Sequence, residues 1–188
     1  AASGFRLLGL WDNGFRHFTN RLRPIREPAD CKGMRIRTLF SDLHAQTFRR
    51  LGFAPIAMDV KDLIAGVRDG SIDAQENPLT NTYNFGVHHH HRHITLPSHF
   101  FGAAGLLCHN ASYLSWPAHV QNAVDEAASA ATTHQRGLAS AEDKVMLPLL
   151  EQADTDIVLL NDAERALFVE AVAPIIDAQR ARFGDELF

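Results

Sequence analysis

The sequence predicts an α/β fold, with a largely parallel sheet covered by helices on both faces. Short apolar segments typical of strands alternate with amphipathic segments typical of helices, the order that parallel sheets require. Hydrophobic residues make up 46% of the 188 residues, enough to bury a core, and no apolar run approaches the length of a membrane span. Open sheets of this class bind ligands at the carboxyl ends of their strands, so functional residues are expected in the loops that follow strands.

The first part of the chain is predicted to be mostly extended. Residues 5–11 (FRLLGLW) form an apolar run typical of a strand, and the DNG sequence at 12–14 is a strong turn signal. A second extended segment is predicted at 16–20. After a proline-bounded loop, apolar and basic residues alternate over 34–38, which predicts a strand with its two arginines on one face.

The rest of the chain alternates between helix and strand. Ser41 and Asp42 can cap a helix that ends near residue 50, and an amphipathic helix over 60–68 is ended by Gly70. Further strands are predicted at 55–59, 71–74, 94–96, 103–108 and 157–160. Further helices are predicted at 117–138, 141–152, 162–172 and from Pro174 onward.

The charge balance and the cysteines narrow the possible functions. The chain has 18 Lys and Arg against 22 Asp and Glu, so no basic surface for nucleic acid or anionic lipid is expected. Cys31 and Cys108 show neither a CxxC pattern nor zinc-finger spacing. Cys31 lies in a polar stretch and Cys108 in an apolar one, so we expect two separate thiols rather than a disulfide.

Three segments occur together in one known family. They are WDNGFR at 11–16, KGMRIR at 32–37 and GSIDAQENP at 70–78, and a histidine, His99, follows the last of them. In this order and spacing the chain resembles the solute-binding proteins of TRAP (tripartite ATP-independent periplasmic) transporters, the DctP-type family. Beyond residue 100 the resemblance is looser.

The resemblance implies a periplasmic-binding-protein-like fold of type II, with two lobes that close around a ligand. It implies that residues 13–100 and 143–188 form the second lobe. Residues 1–12 and 103–142 would then supply hinge strands, a long helix and a remnant of the first lobe, and roughly the first third of a mature member would lie outside this chain. The implied function is a periplasmic receptor, monomeric when complete, that captures an organic acid anion, such as a dicarboxylate, and delivers it to a TRAP membrane permease.

The resemblance also implies the binding residues. Arg37 matches the arginine that clamps the ligand carboxylate, a role that suits the paired N–H donors of a guanidinium. Arg16 matches a second basic position, and Asn77 a ligand contact, although an Asx-type turn before Pro78 would also suit it. Gln75 is expected at the hinge or the ligand, while Glu76 should face an anion only through an intervening cation. Trp11 and Asn13 are expected to line the cleft, although a tryptophan there can simply be packed.

Two other classes of function have to be compared with this one, a metal-binding protein and an enzyme. The histidines of the run at 88–93 are close enough to converge on a metal ion, so a periplasmic metal-binding protein is the alternative. No thiol or carboxylate accompanies the run, and we expect a polar surface segment and no metal site or cofactor. An enzyme is not expected, because GxSxG, HExxH, P-loop and dinucleotide motifs are all missing from the sequence.

Overall fold

The computed structural model describes residues 3–184 and residue 186, and its centre is a six-stranded mixed sheet in the order β3-β2-β4-β1-β5-β6. The strands are β1 (Phe5–Asn20), β2 (Arg35–Thr38), β3 (Ala54–Ala57), β4 (Ala74–Asn77), β5 (His93–His109) and β6 (Asp156–Leu159). Neighbours pair in parallel, except that β1 runs antiparallel to both β4 and β5. The expected α/β class is confirmed, with a sheet that is mixed because the long β1 lies at its middle.

Six α-helices accompany the sheet within the described residues. They are α1 (Asp42–Arg50), α2 (Val60–Asp69), α3 (Leu79–Asn84), α4 (Asn110–Ser115), α5 (Ala118–Gln152) and α6 (Asp162–Phe183). The predicted starts of the first two are confirmed, because Ser41 accepts the His44 N–H at α1 and Asp59 accepts the Lys61 N–H at α2. Gly70 ends α2 in the left-handed conformation, with φ of 76°.

Strands β1 and β5 are each one long strand, where the sequence predicted two short ones. The predicted turn at 12–14 is wrong, because the register between β1 and β5 shifts between Asp12 and Gly14 and the chain continues. Gly14 has φ of 77°, so its freedom from a side chain serves a bulge in a strand and not a hairpin turn.

The predicted strand at 71–74 is displaced, since β4 occupies Ala74–Asn77. Its sequence, AQEN, has no apolar alternation, because three of its four residues are buried polar groups held by hydrogen bonds. The helices predicted at 117–138 and 141–152 are one helix, α5. Likewise α6 runs through Pro174, which lies inside it, and so no new helix starts there.

Helices cover both faces of the sheet. On one face, Phe18 and Ile36 pack with Phe48 of α1 and Phe168 of α6. On the other face, α2 closes one cluster around Leu63 and Val67, and α3 and α5 close another around Leu79, Ile94 and Leu150. The two cysteines are separate thiols, as expected, with Cys31 in the first cluster.

The outer half of the β1–β5 ribbon has a different character. Phe5, Leu7, Phe101 and Leu107 are 51%, 54%, 52% and 55% exposed. Helix α5 covers one side of this ribbon by packing on β1. Its other side presents apolar side chains to solvent.

Candidate ligand-binding site

A buried ion pair joins β1 to β4. The antiparallel register places His17 opposite Asn77, which brings Arg16 of β1 beside Glu76 of β4. Arg16 Nε donates to Glu76 Oε2, and its Nη2 donates to Glu76 Oε1 at 2.8 Å and to the Glu76 carbonyl oxygen at 2.6 Å. Both residues are buried, so the glutamate neutralises the arginine inside the protein.

A chain of hydrogen bonds fixes Asn77. Its Oδ1 accepts from Arg16 Nη2 at 3.1 Å, and its Nδ2 donates to Gln75 Oε1 at 2.5 Å. Gln75 Nε2 in turn donates to Thr19 Oγ1 at 2.8 Å, and this hydroxyl lies 2.9 Å from His91 Nδ1. The amide of Asn77 therefore has a fixed orientation, with one donor and one lone pair left for another group.

Arg37 lies one residue before the end of β2 and pairs with Gln75 across the parallel ladder. Its Nε donates to the Met58 carbonyl oxygen at 2.8 Å, and the residue is 2% exposed. Burial lowers the pKa of the guanidinium, which the nearby negative charge of Glu76 opposes. Among residues 3–184, no carboxylate forms an ion pair with Arg37, so this buried cation has capacity for an anion.

Histidine 99 borders the ion pair from β5. Its Nε2 lies 3.4 Å from Glu76 Oε2. Burial alone would raise the pKa of the Glu76 carboxyl, but contacts from His99 and Arg16 reverse that effect and lower it. Burial lowers the pKa of His99 itself, against the attraction of Glu76. The carboxylate is therefore charged at neutral pH while the imidazole is neutral.

His44, in the first turn of α1, was not among the expected residues, but the charges of Glu76, Arg16 and Arg37 all act on its pKa. Its ring stacks on Phe100, with 4.4 Å between ring centroids and 8° between planes, and Phe100 lies directly opposite Arg16 across the β1–β5 ladder. Its Nδ1 is buried and has no hydrogen-bond partner among the described residues. Burial lowers the pKa of His44, so the ring is neutral at pH 7. Its position shortly after β2 could have indicated it, because ligands of α/β proteins bind at the loops that follow strands.

The structure does not bring Trp11 and Asn13 to this group. Trp11 Nε1 donates to Thr132 Oγ1 of α5 at 3.1 Å, and Asn13 is exposed beside Gly102. Trp11 is five residues from Arg16 on the same strand, roughly 16 Å away. Both belong to the outer half of the β1–β5 ribbon. Arg37, Gln75 and Asn77 instead lie towards the carboxyl ends of β2 and β4, and Arg16 of β1 lies next to them.

The histidines of the run at 88–93 lie in different environments. His91 is fully buried and bound to Thr19, and His88 stacks on Tyr83 with 4.8 Å between centroids. His89 and His90 are exposed. Among residues 3–184 and 186, no three side chains of His, Cys, Asp or Glu are grouped to hold a metal ion. The expectation of a surface segment is therefore wrong for His88 and His91, which are buried, and His91 supports the polar network behind Asn77.

The fold is that of the TRAP periplasmic solute-binding proteins. A solved structure of one from Ralstonia eutropha H16, with bound (S)-2-acetolactate, matches with a TM-score of 0.93 and 26% identity. The match covers 99% of this chain and 61% of that one. Another, from Shewanella oneidensis with bound succinate, gives a TM-score of 0.92 at 26% identity, over 98% of this chain and 61% of that one.

The family described as bacterial extracellular solute-binding protein, family 7 (DctP), matches residues 1–182, and the chain belongs to this family. The 2,3-diketo-L-gulonate-binding periplasmic protein of Escherichia coli K12 is 27% identical over 169 residues, which cover 90% of this chain and 51% of that protein. The chain spans about half the length of several curated relatives it matches. In the part of the chain that the structure describes, no helix combines the length and apolar character needed to cross a membrane.

Proposed function

We propose that this chain forms the second lobe and the hinge of a periplasmic receptor that captures an organic acid anion and passes it to a TRAP membrane permease. The second lobe would comprise residues 13–100 and 143–188, with 1–12 and 103–142 as hinge strands, long helix and remnant of the first lobe. The complete receptor would act as a monomer and carry out no chemistry. Relatives of this family with named ligands bind 2,3-diketo-L-gulonate, (S)-2-acetolactate and succinate, all of them carboxylates.

This proposal rests on the buried position of Arg37 and on its lack of a carboxylate partner among residues 3–184. A buried guanidinium that lacks a carboxylate partner is costly unless an anion completes it, and the planar donors of arginine match a carboxylate. Asn77 lies two residues beyond Gln75, which pairs with Arg37 across the ladder, and its amide is held in place by Arg16 and Gln75. The site therefore combines one cation with a fixed neutral donor and acceptor, which suits the head of an organic acid.

The proposed binding cycle depends on rotation of the two lobes about the hinge strands. The acid would bind at Arg37, the other lobe would rotate over it about β1 and β5, and the permease would recognise the closed form. Closure removes water from the carboxylate and strengthens its pairing with the guanidinium.

A thermal-shift screen of organic acids on the complete receptor tests the proposal, with the primary amide of each acid as the control. A ligand that binds only the folded state at 100 times its Kd stabilises by about 2.7 kcal/mol, which raises the melting midpoint by several degrees. We expect a rise with at least one carboxylate and none with its amide. Equal midpoints for every acid and its amide would overturn the proposal.

A further inference from the structure

Helices α1 and α6 enclose a groove that Arg37 and Asn77 do not line. Two adjoining cavities, of about 260 and about 270 Å³, share Thr47, Val172 and Ile176 in their walls, and together they form the α1–α6 groove. Pockets that enclose a drug-sized ligand are typically about 300–1,000 Å³, so each cavity alone is small for one. The joined cavities suit a narrow molecule that extends through both.

The two ends of the groove differ in polarity. At one end, Ser98 and His99 of β5 and Arg165 of α6 lie in the wall. At the other end, Leu43 of α1 and Phe183 of α6 lie in a wall that is almost wholly apolar. Such a groove is complementary to an amphiphile with a polar head and an apolar tail.

Arg165 determines the charge that the polar end favours. Its side chain is half-buried, and its Nη1 donates to the Pro97 carbonyl oxygen, which is uncharged. The neighbouring carboxylate, Glu164, pairs with Arg26 instead, and no carboxylate among the described residues forms an ion pair with Arg165. The guanidinium therefore keeps a positive charge and further N–H donors for an anionic head, and a carboxylate fits these donors.

A wide bulge in β5 forms this polar end. Four residues of β5, 96–99, lie opposite the single residue 17 of β1. Among them Ser98 has φ of 53°, a left-handed conformation that is uncommon for residues other than glycine. The bulge takes Pro97 out of the ladder and places its carbonyl against Arg165. Bulges commonly re-aim groups in this way beside functional sites.

We infer that the α1–α6 groove binds a medium-chain fatty acid. Its carboxylate pairs with Arg165, and its alkyl chain lies along Val172 and Ile176 towards Phe183. Each methylene that leaves water for this apolar wall contributes to binding. The groove is separate from Arg37, so the inference does not rest on the proposed function.

Calorimetry of octanoate on the complete receptor tests the inference, with octanamide as the control. We expect octanoate to bind in a one-to-one ratio and at least about fivefold more tightly than octanamide, because the amide carries no charge for Arg165. Hexanoate should bind up to about fifteenfold more weakly than octanoate, since two methylenes fewer are buried. Absence of octanoate binding, or equal affinities for octanoate and octanamide, would overturn the inference.

Two substitutions locate the bound octanoate. Arg165→Gln should weaken octanoate binding at least about fivefold. Val169→Phe should weaken it at least about tenfold, because Val169 lies in the wall and a larger side chain there obstructs the groove. Arg68→Gln is the control, because Arg68 is exposed on α2, which packs on the other face of the sheet, and this variant should bind octanoate as the parent does.

The outcomes for these variants separate the groove from other sites. Octanoate binding that is lost in Arg37→Lys but kept in Arg165→Gln would place the fatty acid in the organic-acid site and overturn the inference. A receptor that light scattering shows to be a dimer, and that Val169→Phe converts to a monomer, would assign the groove to a second copy and also overturn it. Val169 is 56% exposed, so Val169→Phe leaves the core intact and decides alone if Arg165→Gln does not fold.

Discussion

Arg16 and Arg37 are both buried arginines, but only Arg16 is neutralised. Arg16 pairs with the Glu76 carboxylate, whereas Arg37 donates to an uncharged acceptor, the Met58 carbonyl. The difference assigns them different roles: Arg16 orients Asn77 and holds β1 to β4, and Arg37 is the group that an anion would complete.

Replacing Arg37 with Lys should weaken organic-acid binding at least tenfold, about 1.4 kcal/mol, because an ammonium cannot reproduce the two parallel bonds of a guanidinium. Arg35→Lys is a matched control on the same strand, since Arg35 binds Asp73 and the Gly70 carbonyl, away from the site. Its dissociation constant should stay that of the parent. Calorimetry measures both, and an unchanged constant for Arg37→Lys would remove this arginine from the site.

His91 should make the stability of the fold sensitive to acid. Burial lowers its pKa from 6.5 to about 4, so between these pH values the unfolded chain binds more protons than the folded one. Stability is therefore lost as pH falls from about 6.5 towards 4, and the loss from this residue is roughly 2.5 kcal/mol at pH 4.5.

His91→Gln, which keeps a hydrogen-bonding partner for Thr19 and cannot titrate, should lose less stability between pH 7 and pH 4.5 than the parent does. Urea unfolding at the two pH values measures the difference. His90→Gln is the control, because His90 is exposed. A pH dependence for His91→Gln equal to that of the parent would show that His91 is not responsible.

Sequence patterns predicted some of these residues and not others, for physical reasons. Arg16, Arg37 and Asn77 were expected because the motifs that contain them resemble those of a known family. That Glu76 neutralises Arg16 depends on the register between β1 and β4, which local sequence does not encode. The stacking of the His44 ring on Phe100 likewise joins distant parts of the chain.

Helix α5 binds β1 next to its bulge. Asp12 is paired with Ala103 of β5, but on the other edge of β1 the strand β4 pairs only with residues 17–20. Gln135 binds the Asp12 backbone, since its Oε1 accepts from the Asp12 N–H at 2.9 Å and its Nε2 donates to the Asp12 carbonyl at 2.7 Å. Arg136 Nε also donates to the Leu10 carbonyl at 2.9 Å. These bonds hold α5 to β1. In a two-lobed receptor, a hinge movement of β1 would therefore also move α5.

Glycine 9 allows this close packing. A Cβ placed on Gly9 would lie 2.3 Å from Thr132 Oγ1, the atom that accepts from Trp11 Nε1. Gly9→Ala should therefore destabilise the fold by about 1–3 kcal/mol, because Thr132 must move and its bond to Trp11 is lost. Gly137→Ala on α5 is the control: nothing lies within 4 Å of an added Cβ, and alanine should stabilise the helix by up to about 1 kcal/mol. Denaturant unfolding of both variants checks the two signs, and a neutral Gly9→Ala would contradict the tight contact.

Local signals predicted element type better than element length. The cap at Ser41 is a local hydrogen bond and was predicted, whereas Asp59, which caps α2, had been placed at the end of a strand. Gly14 and Pro174 are also local signals, but long-range packing overrides them: pairing with β5 carries β1 through the glycine, and Ala171 and Val172 packing on the core holds α6 together just before the proline. The prediction for β4 was displaced by about three residues, because the buried polar side chains of this strand show no apolar pattern.

At the scale of the whole molecule, the apolar side of the β1–β5 ribbon calls for a covering structure. Phe5, Leu7, Leu10, Phe101 and Leu107 are all about half exposed on two paired strands. Soluble proteins rarely expose contiguous apolar patches of this kind. In the two-lobed receptor that we propose, the first lobe would cover this side and would face Arg37 across the cleft.

Residues 1–188 produced alone should therefore associate or aggregate, and should bind organic acids at least about a hundredfold more weakly than the complete receptor. With one lobe, the carboxylate held by Arg37 stays in contact with water, which screens the ion pair and removes most of its contribution. Light scattering after size exclusion measures the association, and calorimetry with the same acid on both proteins measures the affinities. A fragment that stays monomeric and binds a carboxylate with micromolar affinity would show that this lobe is a self-sufficient binding domain. Arg37 and Asn77 would then suffice for recognition, and closure by a second lobe would have no part in the affinity.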